Sequence, residues 1–165
     1  MTQPLQLHPQ CVPLGPWIEH HVAAYAEQAR AAGVQIVTAV EAAQWCFDPL
    51  HLGRAVENLL SNALQHTPCG GVVRIAAHAH DAQLRLRVSD TGSGVAPEIL
   101  PRLFEPFVTS RANGTGLGLA LVREIAVAHG GRIHVVDTAP GTCFEIEIPW
   151  LSFSSLTTTP TSVTV

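Results

Sequence analysis

The sequence predicts an α/β fold, a two-layer sandwich in which a mixed sheet carries helices packed on one face and one long loop interrupts the regular elements. Three observations predict it. The elements run helix, strand, helix, two strands, long loop, helix, two strands, an order that suits helices layered on a mixed sheet. With 47% hydrophobic and 13% charged residues, the 165-residue chain can fill one real core and is long enough for one ordinary domain. Between Asp90 and Gly116 the chain turns rich in glycine, proline and polar residues, and a loop that long inside a compact domain usually has a function.

Residues 1–12 form a proline-rich extended lead-in to a domain expected over 13–150. A helix starts at Pro16, presents Ile18, Val22, Tyr25, Ala26 and Ala29 on one face, and stops at Gly33. Val34–Val40 reads as a β-branched strand and Trp45–Phe47 as a short one. Asp48 is the N-cap of the next helix, with Pro49 at its first position. Pro68 ends that helix near Thr67, because the residue before a proline is steered away from helical geometry.

Strands Gly71–Ala79 and Gln83–Ser89 follow, turning at His80-Asp81-Ala82, with a short helical stretch near Glu98–Phe104. Leu117–His129 forms the last helix, closed by Gly130-Gly131. Arg132–Asp137 and Thr142–Pro149 are strands joined through Pro140-Gly141, and the uncharged Ser/Thr-rich tail 151–165 is expected to be disordered.

A net charge of −4 argues against a nucleic-acid partner. No apolar run reaches the roughly 18 residues a membrane span needs, and the N-terminus lacks a signal-like core, so cytoplasmic placement without membrane contact is expected. Cys11, Cys46, Cys69 and Cys143 are far apart and form no CxxC pair, which reads as free, buried thiols in a reducing compartment.

In the helix Pro49–His66, Leu52, Val56, Leu59 and Ala63 form a core stripe. Asn58 and Asn62 sit one turn apart on nearly the opposite side, joined by Arg54 and Gln65. Asparagine is a poor helix former, so two on one face ask for a reason. Two readings fit: a polar face with no ligand, or neutral oxygen donors for Mg²⁺ held on triphosphate oxygens.

Asp90-Thr-Gly-Ser-Gly94 follows a strand directly. A carboxylate there can accept from an exocyclic amine, while glycines let the backbone approach a flat ring. Asn113-Gly-Thr-Gly-Leu-Gly-Leu119 opens a helix, where alternating glycines offer backbone N–H groups to an anion. It lacks the Gly-Lys-Ser/Thr of a Walker loop and the spacing of a dinucleotide fingerprint.

Together NLLSNALQHTP (58–68), DTGSGV (90–95), LFEPF (103–107), GTGLGLALV (114–122) and GTCFEIEIP (141–149) resemble, in fixed order, the N box, first glycine box, F box, second glycine box and closing strand of the histidine-kinase ATPase domain. That domain belongs to the GHKL superfamily, with the Bergerat fold. The resemblance is strong over Asp48–Pro149 and implies ATP and Mg²⁺ as ligands. It implies that Asn62 ligates Mg²⁺ and that Asn58 stands where hydrolytic relatives carry a general-base glutamate. Glu57 points about 100° away and is no substitute. Asp90 would read the adenine amino group, supported by Thr142, with Gly92 and Gly94 shaping the adenine end and His66 lying against the ring. Gly114, Thr115, Gly116, Leu117 and Gly118 would meet the phosphates. Thr91–Thr115 would be the lid, with Phe104 and Phe107 anchoring or releasing it.

The sequence also departs from the pattern. Gln65 stands where the N box usually has lysine and brings no charge, so Arg111 in the lid, or Arg54 one turn before Asn58, is the candidate phosphate contact. None of the nine histidines lies in a His-Glu-Leu-Arg-Thr-Pro-like phosphoacceptor box. His78 and His80 have the spacing of a metal pair but lack an evident third ligand. The resemblance therefore implies the catalytic half of a two-component histidine kinase, acting on a histidine phosphoacceptor domain in cis or in trans, with a response regulator downstream. A protein-serine kinase of the anti-sigma type and a non-enzymatic nucleotide-gated module are the alternatives.

Overall fold

A computed structural model describes residues 3–108, 117–136 and 140–151. It contains strand β1 (Gln10–Pro13), helices α1 (Leu14–Ala23) and α2 (Ala26–Ala32), strands β2 (Gln35–Val40) and β3 (Gln44–Phe47), helix α3 (Pro49–His66), strands β4 (Val72–His80) and β5 (Gln83–Asp90), helix α4 (Gly118–Ala128), and strands β6 (Arg132–Val136) and β7 (Thr142–Pro149). A single 3-10 turn, Leu100–Arg102, occupies the stretch expected to be helical around Glu98–Phe104.

The main sheet has the order β2-β4-β5-β7-β6. β2 runs parallel to β4 and the remaining pairs are antiparallel, which makes the sheet mixed as expected. Alternation along the strands sends Ile75, Leu86, Val88, Phe144 and Ile146 into one core with Leu52, Val56, Leu59 and Ala63 of α3 and Val122 and Ile125 of α4. The other face carries Arg85, Arg87, Glu147 and His134, none of them buried. The β4–β5 hairpin turns on Asp81 and Ala82, both at positive φ, a two-residue turn whose twist matches the strands.

α3 begins and ends where local chemistry dictates. The Asp48 carboxylate accepts from the backbone N–H groups of Leu50 and His51 at 3.0 and 2.9 Å, and Pro49 fills the first position. Thr67 closes the helix in extended geometry before Pro68.

Three expectations need correction. The single helix from Pro16 to Ala32 is two helices, because Tyr25 leaves helical geometry at φ −106°, ψ 1° while its side chain packs on the core. Ala26, expected on the buried face, is exposed. The lead-in is not merely extended: Gln10–Pro13 pairs antiparallel with β3, and Cys11 stands opposite Cys46 and is joined to it as a disulfide. Only Cys69, which is exposed, and Cys143, which is buried, are free thiols. Finally, Leu151 belongs to the fold, since it is buried and its N–H donates to the Cys46 carbonyl at 2.9 Å. The expected disorder of the rest of the tail concerns residues outside those described. Among the described residues no helix is long and apolar enough to cross a membrane.

Candidate nucleotide site

β5 ends at Asp90, which is 7% exposed and pairs with the equally buried Thr142 of β7. Asp90 Oδ1 accepts the Gly92 N–H at 2.9 Å, and the Thr142 backbone N–H also donates to its carboxylate. Burial pushes the Asp90 carboxyl above its ordinary value, and these hydrogen bonds and His66 only partly offset it. A buried acceptor with an elevated pKa is a candidate to receive a hydrogen bond from a ligand, and Asp90 is bonded to two residues, Gly92 and Thr142, that line a cavity.

That cavity measures about 490 Å³ and is lined by Gly92, Gly94, Val95, Leu100, Val135, Gly141 and Thr142, among others. Two glycines of its lining allow close backbone packing. A Cβ at Gly92 would collide with the His66 carbonyl oxygen, so the end of α3 and the first glycine loop touch backbone to backbone. Gly141 has φ +101°, and a Cβ there would run into the Asp90 carbonyl.

On α3, Asn58 and Asn62 are half-buried rather than on an open polar face. Asn58 Nδ2 donates to the Gly118 carbonyl at 3.4 Å, which places Asn58 at the seam where α3 meets the start of α4. The Asn62 side chain has no hydrogen-bond partner among the described residues. Gln65 is exposed and turns its amide back to Ser61 Oγ on its own helix at 3.4 Å. Arg54 is exposed. Glu57 is occupied elsewhere: its carboxylate meets His21 Nδ1 at 3.1 Å.

Leu117 and Gly118 lie at the exposed start of α4. Gly114, Thr115, Gly116 and Arg111 lie outside the described residues. Phe104 is anchored, packing edge-on against Phe144 of β7 at 5.9 Å between ring centroids. Phe107 is 76% exposed at φ +66°, a conformation that costs a bulky residue free energy.

The sheet thus brings Gly92, Gly94 and Thr142 together at one cavity, with Asp90 bonded behind Gly92 and Thr142, the His66 carbonyl against Gly92 and Asn58 at the α3–α4 seam. Sequence reasoning missed the apolar walls Val95, Leu100 and Val135. The alternation of β6 signals that Val135 shares a face with Ile133, but not that this face borders a cavity. His80 pairs with the neighbouring Asp81 at 2.9 Å. On the open face of the sheet His134, Glu145 and Glu147 bring potential metal-ligand atoms within 4.8 Å of one another. Arg87 holds Glu145, however, and Arg132 and Arg85 hold Glu147 at 2.9 and 3.6 Å. Three guanidinium groups against two carboxylates leave no net negative charge to attract a cation.

This combination of sheet, asparagine helix and glycine loops defines an ATPase domain of the kind found in sensor histidine kinases. Residues 47–152 match the histidine kinase-, DNA gyrase B-, and HSP90-like ATPase family, and the chain belongs to that family. The sensor histidine kinase CusS of Escherichia coli is 40% identical over 123 residues, which are 71% of this chain and 26% of the relative. The histidine protein kinase DivJ of Caulobacter vibrioides is 43% identical over 116 residues, 67% of this chain and 19% of the relative. The chain thus spans about a quarter or less of these curated relatives. Among solved structures, the mycobacterial sensor histidine kinase MprB matches with TM-score 0.76 and 31% identity, over 87% of this chain and 98% of that one. Full-length ShkA in complex with AMPPNP matches with TM-score 0.81 and 30% identity, over 91% of this chain and 33% of that one.

Proposed function

We propose that residues 13–150 bind Mg²⁺-ATP and supply its γ-phosphoryl group to a histidine on a separate dimerisation and phosphoacceptor domain, in two-component signalling with a response regulator downstream. The observation that carries this reading is the buried Asp90 carboxylate, hydrogen-bonded to Gly92 and Thr142, which with Gly94 wall the adjoining cavity. There Asp90 accepts from the adenine amino group, Thr142 supports it, and His66 lies against the ring. The N-terminus of α4, with Leu117 and Gly118, offers N–H groups and the positive end of its dipole to the phosphates. Gly114, Thr115, Gly116 and Arg111 complete that contact.

The donor set fits a hard cation. Asn62 is half-buried, one helical turn after Asn58, and brings a neutral side-chain oxygen that no described residue engages. Bound there, Mg²⁺ would neutralise phosphate charge, the main chemical demand of phosphoryl transfer. Glu57, tied to His21, is not free to activate water, so the reading favours transfer over hydrolysis. The location is the cytoplasm, where ATP and such partners occur.

The reading is tested by mixing the protein with a histidine-bearing helical hairpin from a related sensor kinase and γ-labelled ATP. Acid-labile label on the hairpin, with none on this chain alone, is the expected result. Acid-stable label on serine would indicate the serine-kinase alternative. ATP binding without transfer would indicate a nucleotide-gated module.

A further inference from the structure

The disulfide between Cys11 and Cys46 lies outside the nucleotide site and spans 35 residues of sequence, closing a loop that contains α1, α2 and β2. Its two ends differ in access: Cys11 is exposed, whereas Cys46 is 3% exposed. β1 is four residues long, and among the described residues β3 is its only ladder partner. A two-stranded ribbon so short has little stability of its own, so the sulfur bridge does much to keep the incoming chain on the domain.

Cys46 is also a junction. Its carbonyl accepts the Leu151 N–H at 2.9 Å, while the neighbouring Trp45 donates its indole N–H to the Pro149 carbonyl at 3.3 Å and packs edge-on against Trp150. Two residues after Cys46 comes Asp48, the cap of the asparagine helix. The incoming strand, the exit from β7 and the start of α3 therefore meet within β3 and its flank.

We infer that Cys11 and Cys46 form a reversible thiol–disulfide site whose co-substrate is a small disulfide of the glutathione class, and that oxidation fastens β1 to β3. The exposed Cys11 thiolate attacks one sulfur of oxidised glutathione, breaking that S–S bond and releasing one glutathione thiolate. The Cys46 thiolate then attacks the Cys11 sulfur of the mixed disulfide, forming the internal bond and releasing the second glutathione. The two cysteine protons end on the two glutathione thiols, and two electrons pass from the protein to the glutathione disulfide. Exposure of Cys11 leaves one sulfur open to attack in the reverse direction. Cys143 does not compete: it is buried and stands opposite Ser89 and Val136 in the sheet, so no second sulfur faces it.

The test equilibrates the whole chain across mixtures of reduced and oxidised glutathione, followed by alkylation in denaturant and peptide mapping. The thiols at 11 and 46 should disappear together at the oxidising end, while Cys143 stays alkylatable. Hydrogen exchange of the β1 and Leu151 amides should slow at least about tenfold in the oxidised form. The variant Cys11→Ser, altered at an exposed position, should show the faster exchange in both buffers. Cys11 and Cys46 remaining alkylatable at the oxidising end would overturn the inference. So would separate glutathione caps on each, or equal exchange of β1 in the two forms.

Discussion

The Asn58 side-chain amide donates to the Gly118 carbonyl at 3.4 Å, joining the middle of α3 to the first residue of α4 across 60 positions of sequence. The contact ties the asparagine helix to the start of α4, where the proposed phosphate contacts lie. Asn58→Ala should lower the unfolding free energy by about 0.5–1.5 kcal/mol, the usual net worth of one such bond. Asn58→Asp should cost at least as much, because a carboxylate faces the carbonyl with no proton to give. Urea unfolding of the three proteins checks the order.

Asn62, lacking a partner among the described residues, should act through the metal. Asn62→Ala is expected to remove most of the Mg²⁺-dependent part of ATP affinity and leave stability little changed. Titrations with Mg²⁺ and with EDTA measure that part directly. Equal ATP affinity in the two conditions for the parent protein would remove the metal assignment.

Acid should weaken the fold through His129. This side chain is fully buried: Nε2 accepts the Asp48 N–H at 3.1 Å, and Nδ1 donates to the Ile125 carbonyl at 2.8 Å. Burial holds its pKa below the ordinary 6.5. The unfolded chain therefore takes up a proton near pH 6.5 that the folded protein refuses until lower pH. Stability from this group is full above pH 6.5 and falls as pH drops from there toward the folded value, with a slope of at most about 1.4 kcal/mol per pH unit. Asp48 titrates in a lower window. Burial alone would raise its carboxyl, but hydrogen bonds from His51 and His8 outweigh it and hold the pKa below 3.8, so its contribution persists above that range. His129→Gln keeps an acceptor for the Asp48 N–H and should flatten the slope below pH 6.5. Denaturant midpoints against pH read this out.

Much of the fold was legible because local chemistry dictates it. Asp48, Pro49 and Pro68 set both ends of α3, and the apolar stripe from Leu52 to Ala63 pointed it at the sheet. Asp90 and its glycines were legible because the loop follows a strand directly. What escaped reading was set by distant contacts. The period of 3.6 continues through Tyr25, so nothing local marks the break between α1 and α2. β1 is short and ends in proline, and its pairing with β3 depends on a register across 35 residues, so neither the strand nor the Cys11–Cys46 bond shows in spacing. A helical wheel gave the angle of Asn58 to the core stripe but could not know that α4 docks beside it.

Asp90 also couples stability to binding. Its burial raises its pKa, so the ionised carboxylate costs the empty protein stability at neutral pH, and that cost fades as pH falls through the raised value. Asp90→Asn should therefore leave the empty fold as stable or more so, while presenting an amide donor to the adenine amine.

Calorimetric titration of the parent and Asp90→Asn with ATP and with GTP, in Mg²⁺, tests the central claim that this cleft reads adenine. The parent should bind ATP and not GTP, and the variant should lose about 1–3 kcal/mol toward ATP, roughly a tenfold to hundredfold weakening. Equal binding of ATP and GTP by the parent, or ATP affinity unchanged in the variant, would contradict it.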